Sequence, residues 1–492
     1  MSNLTRRDFL KTAGMGAAAL ALPEAAAGVR VPQPQAAGAA ALGPGGQRKK
    51  VIVVGAGMAG LVAAYELDRS GHDVTLLESQ LRPGGRVLTL RAPFSDGLYA
   101  EAGAASIPNT HRLALAYARQ FQLKLVPFYP AGEGFVNQIA GRRVVGPRGD
   151  VARAQAGLTA QERRLGAAGM WEKYVSSAVR EIGNPAAPGW SPAPYARYDN
   201  VTFTHFLRQR GASPAAVRVM LLGRDLDGVS ALRMLADLAT SGAVTGHFKI
   251  DGGNDRLPRA LAQSLSRRIR YGAWVRQIHQ DRQRVRATFV QGNLQHTIEA
   301  DDLICTIPFP ALRQVEFTPI LSDEKIEAIE GTYYLSVTAV WLQEDRRFWQ
   351  AGGLNGFALS DWPIEVSAPT FDQPGRRGIL AGRLDGDMAR RAAALPEDRR
   401  IETVLNEMET LFPGAREHFE GGASKSWDED FWARGAMQWF RPGQMISYGP
   451  YMATPEGRIH FAGEHTSAWP GWIEGAIHSG LRAAREVDGA AS

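Results

Sequence analysis

Gly55, Gly57 and Gly60, spaced G-x-G-x-x-G, and an acid at Glu78 are residue types that can together hold a dinucleotide. Gly55 allows a tight turn, and Gly57 lets backbone N–H groups reach a pyrophosphate. Gly60 lets a helix pack closely on a strand, and Glu78 can accept hydrogen bonds from ribose hydroxyls. A second group lies near the other end of the chain. There Gly463-Glu464 follows an apolar run, and Gly471-Trp472-Ile473-Glu474-Gly475-Ala476 opens a helix. A helix N-terminus favours negative charge of the kind a reduced redox ring carries. The single cysteine, Cys305, allows no intramolecular disulfide and no multi-thiolate metal centre. No metal is expected, and no nucleophilic triad presents itself.

These residues need particular elements to position them. Lys50-Val51-Ile52-Val53-Val54 reads as a buried parallel strand, followed by the glycine turn and a helical pattern through Leu61, Ala64, Tyr65 and Leu67. A second strand, Asp73 to Leu77, ends at Glu78, 18 residues beyond Gly60. Near the C-terminus a strand within 457–466 delivers Gly463-Glu464, and the closing helix ends near Val487. Residues 109–240 read as mostly helical, as at His111–Phe121, Thr159–Val179 and Ala231–Ser241, with a Pro-rich break at 185–195. Residues 330–428 mix short strands and helices.

At 492 residues, 45% hydrophobic and 22% charged, the chain has the composition of an ordinary globular protein with material for about three domains. Its net charge of +6 is local. Seven cations against Asp8 and Glu24 fall within residues 1–50, which leaves only +1 on the rest. That gives no basic face for nucleic acid. Thr5-Arg6-Arg7-Asp8-Phe9-Leu10-Lys11, a short apolar run to Leu22 and small residues up to Ala27 describe an export signal of the twin-arginine type. Residues 28–47, rich in Ala, Gly and Pro, read as a linker. No later run of 18 apolar residues suggests a membrane span in the mature protein. The expected location is periplasmic or secreted.

Further strings are more specific. Arg82-Pro83-Gly84-Gly85-Arg86, Asp251-Gly252-Gly253-Asn254-Asp255-Arg256-Leu257-Pro258 and the 457–477 segment resemble the flavin amine oxidase family, on its L-amino acid oxidase branch. The resemblance covers about residues 48–490. It implies an α/β fold with a glutathione-reductase-like FAD-binding Rossmann domain (48–108, 241–328 and 429–492), an α+β substrate domain (329–428) and a helical lid region (109–240). It also implies FAD-dependent oxidation of an amine-bearing carbon with oxygen as acceptor. Carried over, it places Gly55, Gly57, Met58, Ala59 and Gly60 at the pyrophosphate and Glu78 and Ser79 at the ribose. Gly85 and Arg86 approach the cofactor, and Gly103, Ala104, Ala105 and Ser106 run beside the flavin. Val275 meets the adenine, and Gly463 and Glu464 reach the ribityl–phosphate region. Gly471, Trp472, Ile473, Glu474, Gly475 and Ala476 cap one edge of the ring.

Three positions depart from the family pattern. Arg434-Gly435-Ala436-Met437 stands where monoamine oxidases carry the flavin-linked cysteine, so FAD is expected to bind non-covalently. Ala339 stands where the family has a lysine beside the flavin, and no lysine lies between Lys325 and Lys425. Ser106 replaces the arginine that amino-acid oxidases present to the substrate carboxylate, a contact a serine cannot reproduce. Arg383 is then a candidate anchor, and equally a surface cation. Trp469 and Trp472 are candidate walls of an aromatic cage. His465 and His478 are better read as packing residues, and Cys305 as inert core. The expected activity is oxidative deamination of an L-amino acid. The alternatives are an amine or polyamine oxidase, for which Glu365 and Asp385 are candidate pocket carboxylates, an amino-acid monooxygenase, and a flavin-binding protein with little turnover. The expected partners are the small substrate and oxygen, and a homodimer stays open.

Overall fold

The computed structural model describes residues 47–131, 134–146, 157–222, 224, 226–242, 244–362 and 364–489. The expected export signal and nearly all of the expected linker lie outside the described residues. In Lys50–Val54 the four residues after the lysine are β-branched and buried, which suits a central strand covered on both faces. It sits in the middle of a five-stranded parallel sheet in the order Ile269–Tyr271, Asp73–Glu78, Lys50–Val54, Asp302–Cys305, Ile459–Phe461. The register sets Val54 beside both Leu77 and Cys305, so the strand ends that bear the Gly55 turn, Glu78 and Thr306 lie side by side. The helix Met58–Arg69 leaves the glycine turn and packs on the last helix, Ile473–Asp488. That contact is close because Gly480 has no side chain: a Cβ there would stand 2.4 Å from the Ala59 carbonyl oxygen.

A four-stranded sheet has the order Leu294–Ala300, Val285–Gln291, Ala273–Gln280, Glu316–Thr318, and its first three strands in the chain run between Ile269–Tyr271 and Asp302–Cys305. Opposite stands a seven-stranded sheet in the order Phe419–Ser426, Val337–Glu344, Gly378–Asp385, Ile364–Ser367, Ala358–Ser360, Phe135–Ile139, Arg142–Gly146. Its antiparallel register sets Lys425, Ala339, Arg383 and Glu365 directly opposite one another on adjacent strands. Opposed residues share a face, so these four form one row of side chains.

The region 109–240 is not uniformly helical. Phe135–Ile139 and Arg142–Gly146 form a hairpin that extends the seven-stranded sheet, pairing parallel with Ala358–Ser360. The helix expected over Thr159–Val179 is interrupted, because Gly166 takes a positive φ of 64° and a second helix begins at Ser176. Its start follows local rules: Thr159 and Glu162 form a reciprocal capping box. Ala231–Ser241 is helical as expected. The helical core is aromatic, with Trp171 stacked on Phe203 at 6.1 Å and Phe203 on Phe206 at 5.8 Å.

Glu344 ends the strand Val337–Glu344 fully buried, and neither of its carboxyl oxygens has a hydrogen-bond partner among the described residues. Burial, with Asp345, Glu409 and Glu420 nearby, pushes its pKa up to about 8. A carboxyl whose folded pKa lies above its unfolded value costs stability as it ionises, so stability falls as pH rises from about 4.5 to about 8. Glu344→Gln is expected to leave Tm unchanged at pH 5 and to raise it by about 2–4 °C at pH 8, measured by thermal melts across that range.

Candidate active site

One elongated cavity runs from the ends of the parallel strands to the face of the seven-stranded sheet. At the first end, Gly55 turns with φ of 103°, and its α-hydrogen side faces Thr306, whose Oγ1 would lie 2.5 Å from a Cβ. A Cβ on Gly60 would stand 1.9 Å from the Gly55 carbonyl oxygen, so this glycine serves helix-on-strand packing. Gly57 is different. It borders the cavity, has an ordinary φ of −70°, and a Cβ there would meet no protein atom within 4 Å. Nothing in the protein itself requires a bare backbone at Gly57, so its value lies in what enters the cavity at the start of the Met58–Arg69 helix. Glu78 points to the same end. Its Oε2 accepts from the Ala56 N–H at 2.6 Å and its Oε1 from the Gln80 N–H at 2.7 Å. Burial raises its pKa, partly offset by those bonds. This donor and acceptor set fits a dinucleotide. Ser79, Gly85 and Val275 also line this end. Beyond them Trp274, Phe431 and Trp432 form a mutually edge-on aromatic cluster at 4.8–5.5 Å.

The middle of the cavity is fixed by a charged bridge. Arg86 Nη1 donates to Glu464 Oε1 at 2.7 Å and to the Ala436 carbonyl at 2.9 Å. Glu464 Oε2 accepts from the Gly471 N–H at 2.6 Å. Arg86, 378 residues earlier in the chain, and Gly471 thereby meet at one carboxylate, and Ala436 joins them through Arg86. Gly103, Ala104, Ala105 and Ser106 line the opposite side, and Asn254 Nδ2 holds that segment by donating to the carbonyls of Ala104 and Ala105 at 2.8 and 2.9 Å. Beside it, burial pushes the Glu101 carboxyl up to about 8. Glu101 accepts from Thr89 Oγ1 and the Asn254 N–H, both at 2.8 Å.

The far end is walled by Phe128, Tyr129, Phe357, Met437, Trp439 and Trp472, with Ala339, Glu365 and Arg383 on the sheet face. Trp472 meets the His111 ring edge-on at 4.9 Å and is hydrogen-bonded to Asp237. Ser106 does line the cavity, and its hydroxyl pairs with His247 Nδ1 at 3.2 Å. Arg383 lies 2.9 Å from Asp385 Oδ1 and 3.9 Å from Glu365 Oε2. Asp385 is buried behind the wall, whereas Glu365 borders the cavity.

Most residues expected at the site line this cavity, including Met58, Ala59, Gly463, Ile473 and Ala476. Four do not, each for a local reason. Gly60 is occupied in packing, as above. Trp469 turns onto His478 at 5.2 Å. Glu474 faces away, accepting from the Leu113 and Ala114 N–H groups at 3.0 and 2.8 Å to cap the helix Arg112–Gln120. Gly475 lies against the Trp469 carbonyl oxygen, 2.1 Å from where its Cβ would be. His465 packs edge-on against Phe309 at 4.6 Å, and burial holds it neutral. Cys305 is buried in the parallel sheet, away from the cavity, with its thiol pushed up to about 12. The cations Arg224, Arg233 and Lys249, together with Asp237, also line the cavity. Arg233 and Asp237 share a turn of the Ala231–Ser241 helix, where the spacing i, i+4 in an apolar helix was the available signal. Arg224 stands in a loop with no periodicity to betray it.

Because Gly57 faces open cavity and Gly60 faces backbone, the two glycines are expected to fail differently. Gly57→Val should fold and lose at least tenfold in affinity for FAD, read by fluorescence titration of the apoprotein. Gly60→Val should lose soluble folded protein.

Comparison with known proteins agrees with this geometry. The profile of the flavin containing amine oxidoreductase family matches residues 58–488, and that of the twin-arginine translocation pathway signal sequence matches residues 3–23. The leader thus directs export by the twin-arginine route, to the periplasm or beyond. No helix among the described residues is long and apolar enough to cross a membrane. The chain is 35% identical over 463 residues to YobN of Bacillus subtilis (strain 168), covering 89% of this chain and 95% of that one. It is 30% identical over 454 residues to the L-amino-acid oxidase of Naja atra, covering 89% and 88%. The fold is shared with putrescine oxidase bound to putrescine (TM-score 0.77, 23% identity, covering 90% of this chain and 99% of that one). With the family profile matched over residues 58–488 and a cavity between a Rossmann-type parallel sheet and the seven-stranded sheet, the chain belongs to the flavin-containing amine oxidoreductases.

Proposed function

We propose that the protein is an L-amino acid oxidase that binds FAD non-covalently and converts an L-amino acid to the keto acid, ammonia and hydrogen peroxide. One observation carries the carboxylate half of this reading: the guanidinium of Arg383 stands in the wall of the cavity whose other end fits a dinucleotide. The L-amino-acid oxidases among the relatives support it. Non-covalent binding is supported by Cys305 lying buried outside the cavity, and by Ala436 and Met437 lining it where the family's linking cysteine would stand. In this reading residues 48–108, 241–328 and 429–492 hold the cofactor, and 329–428 with the 109–240 region enclose the substrate.

The chain's residues would divide the work by position. Gly57, Met58 and Ala59 present backbone to the pyrophosphate, Glu78 and Ser79 meet the ribose, and Val275 meets the adenine. Arg86 and Glu464 hold the segments that flank the ring. When bound, FAD supplies the acceptor for the hydride lost from the amine-bearing carbon and passes the electron pair to oxygen as peroxide. Trp472 and Met437 flank the space over that carbon, and the aromatic walls exclude bulk water from it. Arg383 orients the substrate through its carboxylate. The amine must be neutral to lose hydride, and the imine that results is hydrolysed by water to ammonia and the keto acid. No side chain is needed as a nucleophile.

A second reading, an amine oxidase, is favoured by Ser106, which is bonded to His247, and by Glu365 and Asp237 in the cavity wall. Peroxide release from the flavin-loaded protein, surveyed over L-amino acids, D-amino acids and the decarboxylated amines, separates the two. Activity on L-amino acids with silence on amines is expected, and activity on amines alone would establish the second reading. Arg383→Ala should raise KM for L-amino acids about tenfold or more, since a charge-assisted contact contributes about 1.5–3 kcal/mol. An unchanged KM would remove Arg383 from that role.

A further inference from the structure

The cations that line the cavity are not equally available. Arg86 is committed to Glu464 and the Ala436 carbonyl. Lys249 Nζ donates to the Pro369 carbonyl at 2.7 Å and to Asp372 Oδ1 at 2.6 Å. Arg233 pairs with Asp237 at 3.5 Å, donates to the Pro470 carbonyl and lies over the Trp439 ring at 4.8 Å. Arg224 differs from these three. Its side chain is 11% exposed, less than the 30% of Arg383, yet its one hydrogen bond among the described residues runs from Nη1 to Asp385 Oδ2 at 3.0 Å. Nε and Nη2 donate to nothing there, and the residue borders the cavity. Asp385 is 2% exposed and serves both arginines, with Oδ2 toward Arg224 and Oδ1 toward Arg383.

We propose that Arg224 and Arg383, aligned by the buried Asp385 between them, form a two-guanidinium clamp that takes over substrate-carboxylate recognition from position 106. In it, Arg224 is the specificity-determining arm. This rests on the deamination reading above. Asp385 holds the two forks in a fixed relation while leaving N–H groups of each unspent. A planar carboxylate entering the cavity can accept from one or both forks, which suits guanidinium geometry. Glu365 lies 3.9 Å from Arg383 and its charge reaches Arg224 as well, so it tempers both arms. Burial separates them, and the less exposed Arg224 carries the larger share. Ser106 cannot compete, because its hydroxyl is paired with His247. The arm reaches the site from the helical region and the rest of the clamp from the sheet, so substrate would tie the two together.

The test uses the flavin-loaded protein and benzoate, a carboxylate with no amine to oxidise, titrated against the flavin absorption spectrum. Benzoate Kd should rise tenfold or more in Arg224→Ala, and KM for L-phenylalanine should rise with it. Arg224→Gln keeps a donor for Asp385, and should show the same loss even if the alanine variant does not fold. Benzoate binding within twofold of wild type in either folded, flavin-loaded variant overturns the clamp, while deamination by wild type would still stand. Wild type that neither binds benzoate nor oxidises L-amino acids overturns the deamination reading itself.

Discussion

The carboxylate of Glu464 is the point on which the cavity depends. One oxygen takes Arg86 from the segment after the second parallel strand, and the other takes the Gly471 N–H ahead of the last helix. Arg86 in turn reaches the Ala436 carbonyl. Arg86 lies 350 residues or more before the other two segments, and the three form one wall because the ion pair closes it. The pair is largely shielded from water, with side-chain exposures of 19% and 8%. Burying two charges is unfavourable unless their remaining donors and acceptors are used, and here the Ala436 carbonyl and the Gly471 N–H use them. Losing either partner would leave a buried charge and open the wall at the point where these segments meet.

The same logic orders the far end. A cavity lined by several cations is tolerable because each has been given a carboxylate: Glu464 for Arg86, Asp237 for Arg233, Asp372 for Lys249, and Asp385 for Arg224 and Arg383. Asp385 is shared, and that sharing leaves N–H groups of both arginines unspent among the described residues. The row that crosses the sheet shows where charge stands around Ala339. Ala339 is flanked by Lys425 and Arg383 in register, so positive charge stands on both neighbouring strands although the position itself is empty of it. Lys425 is turned to Asp430 at 2.9 Å and lies over the Trp427 ring.

What could be read from the sequence was what is local. The strand, glycine turn, helix and acid from Lys50 to Glu78 lie within about thirty residues, and Gly55 and Gly60 each have a backbone reason for their place. The Gly463–Ala476 string was legible for the same reason, but only coarsely. Once the helix begins at Ile473, successive side chains rotate about 100°. Ile473 and Ala476 therefore face the cavity while Glu474 caps another helix and Gly475 packs on a carbonyl. Trp469 sat in the right string and turned the wrong way. The substrate wall was largely hidden because it is a product of long-range register. Nothing near Arg383 in sequence announces Glu365 beside it, and Arg224 arrives from a loop some 160 residues earlier. The Phe135–Gly146 hairpin was missed likewise, since its partner strand lies at Ala358–Ser360.

The account holds that one cavity joins a flavin to a carboxylate-reading wall. The most direct measurement is anaerobic mixing of the flavin-loaded protein with single substrates, following flavin absorbance. Without oxygen, substrate recognition is seen apart from whatever Ala339 does to reoxidation. L-phenylalanine should bleach the flavin while phenethylamine leaves it yellow. Bleaching by the amine alone, or by neither compound nor any other L-amino acid, would contradict the account.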